Sequence, residues 1–238
     1  MAMTRMLSGI CTAGYVNEPH QASVLQWVRP VKEFNSLLLG DMSFAGGQPV
    51  QVGEVVALNL ICPRPDLTHA EDWLTDFVHF RPRLLRRLEG EQRAAFLEKH
   101  VDRDPAAVLI RQTRSLCLLR PEQVWARFSL DTYSGKYEAR IGFRLTGVPH
   151  ARSSRAEGIP VTDLKWRALG RCWLQEGVAS RDTIRVTLDH DALHERLGAE
   201  TLYLSIGLSR PYRQQMWALV VGVHPVPDYA ASIDYDNL

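Results

Sequence analysis

Apolar and polar residues alternate strictly along residues 136–146. A period of two places one set on a buried face and the other in water. The apolar set is Tyr137, Ala139, Ile141, Phe143 and Leu145, and the other set is Lys136, Glu138, Arg140, Gly142 and Arg144. The expected partner strand is Gln123–Asp131, joined through a four-residue loop whose glycine comes late in the turn. We therefore predict an antiparallel hairpin with Arg140 and Arg144 on its solvent-exposed face, called the wet face below.

A second pair of strands is predicted within residues 201–229. Apolar residues at 202, 204, 206 and 208 alternate with polar or small ones, and residues 216–223 are almost wholly apolar. The segment between them has the sequence Ser-Arg-Pro-Tyr-Arg-Gln, which contains Arg210, Tyr212 and Arg213. A proline, two guanidiniums and an aromatic ring therefore leave the sheet together, at a short basic corner.

Other apolar runs complete the expected strands. They lie at residues 6–11, 24–31, 54–61 and 184–188. The first two flank a connection that contains Gly14 and Asn17 and is expected to be irregular. The glycine-rich residues 40–53 predict a loop. Pro30 has no amide hydrogen, so it belongs at the edge or end of its strand.

Helical patterns interrupt the strands. Helices are predicted for residues 68–74, 82–100, 164–173 and 192–197. Gly90 is expected to break the second of these into two short helices. Thr162 or Asp163 caps the third, and Asp189 caps the fourth, which ends at Gly198. The predicted fold is mostly β with helical insertions, of the β or α+β class.

Length and composition indicate an ordinary globular chain. Its 238 residues and 27.0 kDa suffice for one large β domain or two small ones. No apolar run approaches the roughly 18 residues of a membrane span, and the start lacks a signal-peptide pattern, so we expect a cytoplasmic protein with no membrane partner. Four cysteines lie about fifty residues apart without any C-x-x-C pair, which favours buried thiols over a zinc site.

The formal net charge of +1 is unevenly distributed. Residues 79–127 contain eleven Lys or Arg and six Asp or Glu, a net of +5, so the rest of the chain carries −4. A basic middle fits contacts with phosphates, and it fits a solvated helical face equally well.

Candidate binding residues are aromatic rings close to arginines. Trp27 and Arg29 lie on the same side of a predicted strand. They are either a core ring and an ion-paired arginine, or a stacking ring beside hydrogen-bond donors. The full set of predicted nucleic-acid-binding residues is Trp27, Arg29, Trp73, Arg140, Arg144, Arg210, Tyr212 and Arg213.

The sequence lacks the motifs of several enzyme classes. It contains no Walker P-loop, G-x-G-x-x-G or G-x-S-x-G motif. His190 and His194 have the i, i+4 spacing of metal ligands, but the acids around them fit helix capping. Asp163 and Lys165 have the spacing of a metal-dependent nuclease, although Asp163 also fits a cap. We predict no catalytic residue, metal or cofactor.

Four stretches in succession resemble the prokaryotic dual OB-containing domain family. They are residues 27–31 (WVRPV), 65–74 (PDLTHAEDWL), 115–121 together with 159–166, and 204–229, and they span nearly the whole chain. The sequence departs from the family at residues 13–17, where similar proteins show a Ser-Arg-Lys type segment and a glycine-cysteine pair. That departure weakens any binding role for this loop.

The resemblance implies two OB-like antiparallel barrels. We expect the first at residues 1–112, with a helical insertion around residues 82–100, and the second at residues 113–238. It also implies binding of nucleic acid, single-stranded or duplex, in a bacterial defence or DNA-transaction system, and it supplies no catalytic residue. The alternatives are a protein-interaction or regulatory subunit of a larger effector complex and a metal-dependent nuclease.

Overall fold

The computed structural model describes residues 2–6, 9–18, 21–66, 69–150, 152–180, 182–211 and 213–235. Within these ranges the chain is mostly β, with four α-helices between the strands. The elements up to residue 109 are β1 Ala2–Met6, β2 Gly9–Glu18, β3 Gln21–Val31, β4 Glu54–Ala57, β5 Leu60–Pro63, β6 Asp72–Thr75, β7 Arg83–Arg87, α1 Gly90–Lys99 and α2 Ala106–Leu109. The later elements are β8 Leu116–Leu119, β9 Gln123–Asp131, β10 Tyr137–Arg144, β11 Ile159–Pro160, α3 Leu164–Trp173, a 3₁₀ helix Leu174–Glu176, β12 Val178–Ser180, β13 Thr183–Leu188, α4 His190–Leu197, β14 Thr201–Leu208 and β15 Ala218–Val226.

The named strands before residue 112 pair with one another. One sheet has the order β1-β2-β3-β6-β5, in which β3 and β6 are parallel and the other neighbours are antiparallel. The strands β4 and β7 form a separate two-stranded ribbon. All five residues of β7 are exposed, so this ribbon is at the molecular surface.

The later strands form two further sheets. Their orders are β11-β10-β9-β13-β12 and β15-β14-β8, and all their pairings are antiparallel. A bridge between Val161 and Val220 connects the two sheets. The largest buried cluster lies between them and includes Phe128, Ile141, Trp166 and Leu204. The division of the chain near residue 112 stays a prediction.

Two smaller clusters join the early and late parts of the chain. Trp27 and Ala13 pack with Leu118 and Tyr203 in one of them. In the other, Met3 of β1, Ile10 of β2 and apolar residues of the segment 37–50 pack with Leu164 of α3. Among the described residues, no helix is both long and apolar enough to cross a membrane.

Several predicted elements are confirmed. The strands β9, β10 and β13 occur where the alternation places them, and the side chains of β10 are buried and solvated in turn. Asp163 caps α3 by accepting a hydrogen bond from the Trp166 amide. Asp189 caps α4, which ends at Gly198 in the left-handed region with a φ of 61°.

Other predictions for the first ninety residues are wrong. Gly14 and Asn17 lie within β2 and not in an irregular connection. The apolar run at 54–61 is divided between β4 and β5. Residues 72–75 form β6 where we predicted a helix start, and the helix predicted from residue 82 begins at Gly90, after the strand β7. Pairing with distant strands determines these segments, and the local residue spacing does not report it.

Candidate nucleic-acid interface

The outer face of β10 begins the candidate site. Its inward side chains, from Tyr137 to Phe143, are buried in the main core, whereas Glu138 and Arg140 are half-buried and Arg144 is exposed. This arrangement follows directly from the two-residue period of a strand that packs on one side. The predicted wet face of β10 is therefore present, and it lies in the middle of a sheet.

The neighbouring strands add further residues to this face. Register with β9 places Trp125 opposite Gly142 and Arg127 opposite Arg140. On the other side of β9, Arg185 of β13 lies opposite Ser129. Residues directly opposite one another in an antiparallel pair share a face. The outer face of the sheet thus combines one indole ring with four arginines.

Trp125 lies across Gly142. A Cβ atom at position 142 would fall far inside packing distance of three ring atoms, namely Cε2, Nε1 and Cζ2 of Trp125. The indole nitrogen donates a hydrogen bond to the carbonyl of Ala156 (3.1 Å), which fixes the ring laterally. The guanidinium of Arg144 is 6.0 Å from the ring centroid. The glycine therefore provides the space for a flat, half-buried aromatic surface on the strand.

The arginines around this ring differ in how they are held. Arg140 donates to the carbonyls of Glu157 (3.0 Å) and Gly158 (2.8 Å), so its guanidinium is already occupied. Arg144 donates to the side chain of Gln123 (3.1 Å) and is exposed. Arg185 is exposed as well. Nε of Arg127 is buried and has no hydrogen-bond partner in the described part of the chain.

The positive charge of the face acts on its single central carboxylate. Lys136 donates a hydrogen bond to Glu138 and forms an ion pair with it (2.8 Å). This bond, with the nearby charges of Lys136, Arg140 and Arg127, lowers the pKa of Glu138 below its ordinary value. The carboxylate is therefore charged at neutral pH, yet it offsets only part of the charge of the four arginines.

A second ring and arginine lie beside the same sheet. The segment 152–158 runs along β10, where the amide of Phe143 donates to the carbonyl of Ser153 (2.9 Å). From this segment Arg152 stacks on Trp217 at 3.9 Å from its centroid. The side chain of Trp217 is 40% exposed. This pair is a second place where an arginine meets a partly exposed ring, and it lies just before the start of β15.

Trp27 and Arg29 are not part of that surface. Trp27 is buried against Tyr15, with their ring centroids 4.2 Å apart. Arg29 is buried and donates through Nε to Asp72 (2.5 Å). The geometry matches the interpretation of a core ring and an ion-paired arginine. Trp73 lies half-buried in β6, opposite Pro30.

The basic corner after β14 is bound to the early part of the chain. Arg210 forms an ion pair with Asp66, and its other terminal nitrogen lies 3.5 Å from Asp72. Arg213 is exposed at a positive φ of 49°. Tyr212 lies outside the described residues. In this corner, Arg210 is engaged in holding the two parts of the chain together.

The residues considered for metal chemistry have other partners. Nδ1 of His190 accepts a hydrogen bond from the Val124 amide (3.3 Å), and Nδ1 of His194 lies 2.8 Å from the Ala199 carbonyl. Both oxygens of Asp163 accept backbone amide hydrogens, from Trp166 (2.9 Å) and Val223 (2.8 Å). Over the described ranges, no group of three or more His, Cys, Asp or Glu side chains is arranged to hold a metal ion.

The residues predicted from the sequence did not include Trp125, Arg127, Arg185, Arg152 and Trp217. A signal for the first of these was present, because the predicted hairpin places Trp125 opposite Gly142. A glycine facing a large ring across a strand pair indicates that the ring lies over it. The contact between Arg152 and Trp217 joins residues 65 positions apart, and no local pattern reports it.

Comparison with known proteins identifies the family. A search of curated proteins and a search of solved structures each returned no match. The model of the dual OB-containing domain matches residues 1–223 of the 238. This match covers nearly the whole chain, in agreement with the mostly β architecture and its several sheets. The chain therefore belongs to the dual OB-containing domain family.

Proposed function

We propose that the outer face of β9, β10 and β13 binds single-stranded nucleic acid. The observation that carries this proposal is the Trp125 ring, which packs against Gly142 on a strand face that also carries four arginines. OB-folds use strand faces of this kind to bind oligonucleotides. A single strand fits better than a duplex, because its bases are free to stack on an aromatic surface.

Each part of the face has a distinct role in the proposal. A base stacks on Trp125, an interaction typically worth about 1–3 kcal/mol. Arg144 and Arg185 are exposed and contact phosphates, and Arg127 adds positive charge beneath them. Arg140 positions the segment 157–158 through its hydrogen bonds to two carbonyls, so it is assigned no phosphate contact. With about two to three phosphates of a single strand neutralised, the logarithm of affinity falls with the logarithm of salt at a slope of about −1.4 to −2.1.

Fluorescence anisotropy with labelled single-stranded and duplex DNA and RNA, over a salt series, tests the proposal. We expect Trp125→Ala to weaken binding of single strands by about tenfold or more, with the salt slope unchanged. Arg185→Ala should reduce the slope by about 0.7, the value for one phosphate of a single strand. Arg103→Ala is the matched control, because Arg103 is an exposed arginine between α1 and α2.

Three outcomes would contradict the proposal. The first is an absence of binding at low salt. The second is binding that Trp125→Ala leaves unchanged. The third is an equal loss for Arg185→Ala and Arg103→Ala, which would indicate attraction by net charge without a defined site. The setting in bacterial defence, implied by the family, stays a prediction.

A protein-binding role is the second candidate, and it rests on exposed apolar side chains near the β4–β7 ribbon. Val78 is 85% exposed, and Phe80 and Leu85 are each 54% exposed. Exposed apolar patches commonly mark protein interfaces. A photo-reactive residue at position 85 should cross-link the chain to one defined partner in cells. The control is position 133, where Tyr133 is 94% exposed, and equal cross-linking at both positions would contradict this role.

A further inference from the structure

A cavity of about 400 Å³ lies within the early part of the chain. Its walls are the inner faces of β1, β2 and β3, the segment around residues 50–58, and the end of β7. Most wall side chains are aliphatic, among them Met3, Val28, Val50 and Val52. Protein interiors ordinarily leave few voids larger than a water molecule. The volume is instead in the range of small-molecule sites.

One buried polar group lies in this aliphatic cavity. Thr12 pairs with Met3 across β1 and β2, so both side chains point to the inner face of the sheet. Thr12 is 5% exposed, and its hydroxyl has no hydrogen-bond partner in the described part of the chain. Buried hydroxyls without a partner cost free energy and are rare. The hydroxyl therefore marks a place where a ligand can supply a hydrogen-bonding group.

A cation lies on the wall that the β4–β7 ribbon forms. Arg86 of β7 lines the cavity and is exposed, so it marks a side on which the cavity meets solvent. No hydrogen bond or ion pair of its guanidinium is found within the described residues. Glu54 also lines the cavity, but its oxygens accept from Arg87 (3.0 Å) and from the Gln51 amide (2.8 Å). The charge left to meet a ligand is that of Arg86.

We propose that this cavity binds an aliphatic carboxylate with a second polar group at its far end. The carboxylate pairs with Arg86 on the ribbon, the chain fills the aliphatic interior, and the far polar group meets Thr12 on the sheet. The site is separate from the face that carries Trp125, and neither proposal depends on the other.

Titration calorimetry of the full chain with decanoate and ω-hydroxydecanoate tests this inference, and native mass spectrometry gives the stoichiometry. We expect one molecule per chain, with ω-hydroxydecanoate bound about fivefold more tightly, the size of one net hydrogen bond. Thr12→Val should abolish the difference in affinity between the two acids and leave the affinity for decanoate unchanged. Arg86→Gln should weaken both acids by about fivefold, as for a partly exposed ion pair. Arg83→Gln, on the same exposed strand but outside the cavity, is the matched control.

A filled cavity provides the decisive comparison. Val52→Phe places a ring in the space, so it should abolish binding of both acids while circular dichroism shows an unchanged fold. Four results would overturn the proposal: no saturable binding of either acid, unchanged binding by folded Val52→Phe, decanol bound as tightly as decanoate, or equal losses for Arg86→Gln and Arg83→Gln. If Val52→Phe fails to fold, the Thr12 and Arg86 variants still decide the matter.

Discussion

The Trp125 ring occupies the space that a side chain at position 142 would need, so only glycine fits there without displacing the ring. The effect of a substitution at this position on the free energy of unfolding tests this contact. In Gly142→Ala the new methyl group would overlap the Trp125 ring, which must then leave its position. The ring would lose its packing on the strand and its hydrogen bond to the Ala156 carbonyl. Gly142 is not among the positions with positive φ, so the backbone itself accepts alanine.

The expected cost follows from these contacts. Forcing extra volume into a packed site costs about 1–3 kcal/mol. Loss of the hydrogen bond to Ala156 adds about 1 kcal/mol. Alanine in a strand regains about 0.5–1 kcal/mol relative to glycine. We therefore expect Gly142→Ala to lower the free energy of unfolding by about 2 kcal/mol. In a Trp125→Ala background the overlap is gone, and the same change should raise it by about 0.5–1 kcal/mol.

Urea unfolding of the wild type, Gly142→Ala, Trp125→Ala and the double variant measures the four free energies of unfolding of this double-mutant cycle. The sign of the Gly142→Ala effect should reverse between the two backgrounds, with a coupling of about 3 kcal/mol. An equal cost in both backgrounds would refute the placement of the ring over the glycine. The same displacement should weaken binding of single-stranded nucleic acid by Gly142→Ala, because the stacking surface moves.

Three further predictions concern buried groups. Burial raises the pKa of Asp163 from 3.8 to about 6, so its stabilising contribution is full below pH 3.8 and is lost as pH rises through about 6. As the pH rises from 3.8 to above about 6, the free energy of unfolding of the wild type should fall by up to about 3 kcal/mol relative to that of Asp163→Asn. Urea unfolding at each pH measures this difference. Glu71→Ala leaves three donors of Ser115 and Leu116 unpaired and should cost about 3 kcal/mol. Gly170→Ala drives a methyl group into Phe128 and should cost about 1–3 kcal/mol despite the higher helix propensity of alanine.

Controls separate these effects from general damage. For the pH series, a constant difference between the wild type and Asp163→Asn would contradict the raised pKa. Glu91→Ala removes an exposed carboxylate and should change stability little, and an equal loss from Glu71→Ala and Glu91→Ala would contradict the role of burial. Cys172→Ala, on the exposed side of α3, is the control for Gly170→Ala. A stabilised Gly170→Ala would show that helix and sheet are packed less closely there.

Local signals were sufficient where one stretch of chain carries all the information. β10 alternates because one face meets the core, and the caps Asp163 and Asp189 bond to amides three residues away. The hairpin between β9 and β10 also follows from its own loop. The wet face of the candidate site could therefore be predicted with its Arg140 and Arg144.

Long-range contacts account for what the sequence could not show. Glu71 and Asp72 fit the first turn of a helix, yet Glu71 accepts from Ser115, and Asp72 pairs with Arg29 and Arg210. Leu84, Leu85 and Leu88 have helix-like spacing, yet the first two lie in β7. An exposed ribbon strand buries no face, so it shows no period of two that would predict it. The charge of the basic corner predicted contacts with a ligand, whereas Arg210 of this corner forms an ion pair with the distant Asp66.

Glu71 carries a consequence for how such a chain is inherited. Its three hydrogen bonds cross from the early part of the chain to Ser115 and Leu116 at the start of β8, and Trp27 and Tyr203 share one core across the same junction. A recombination event that separated the two parts would leave a buried carboxylate without donors and an exposed apolar surface. We therefore expect a hybrid chain, with one part taken from a related gene, to be destabilised unless the residues on both sides of the junction are exchanged together.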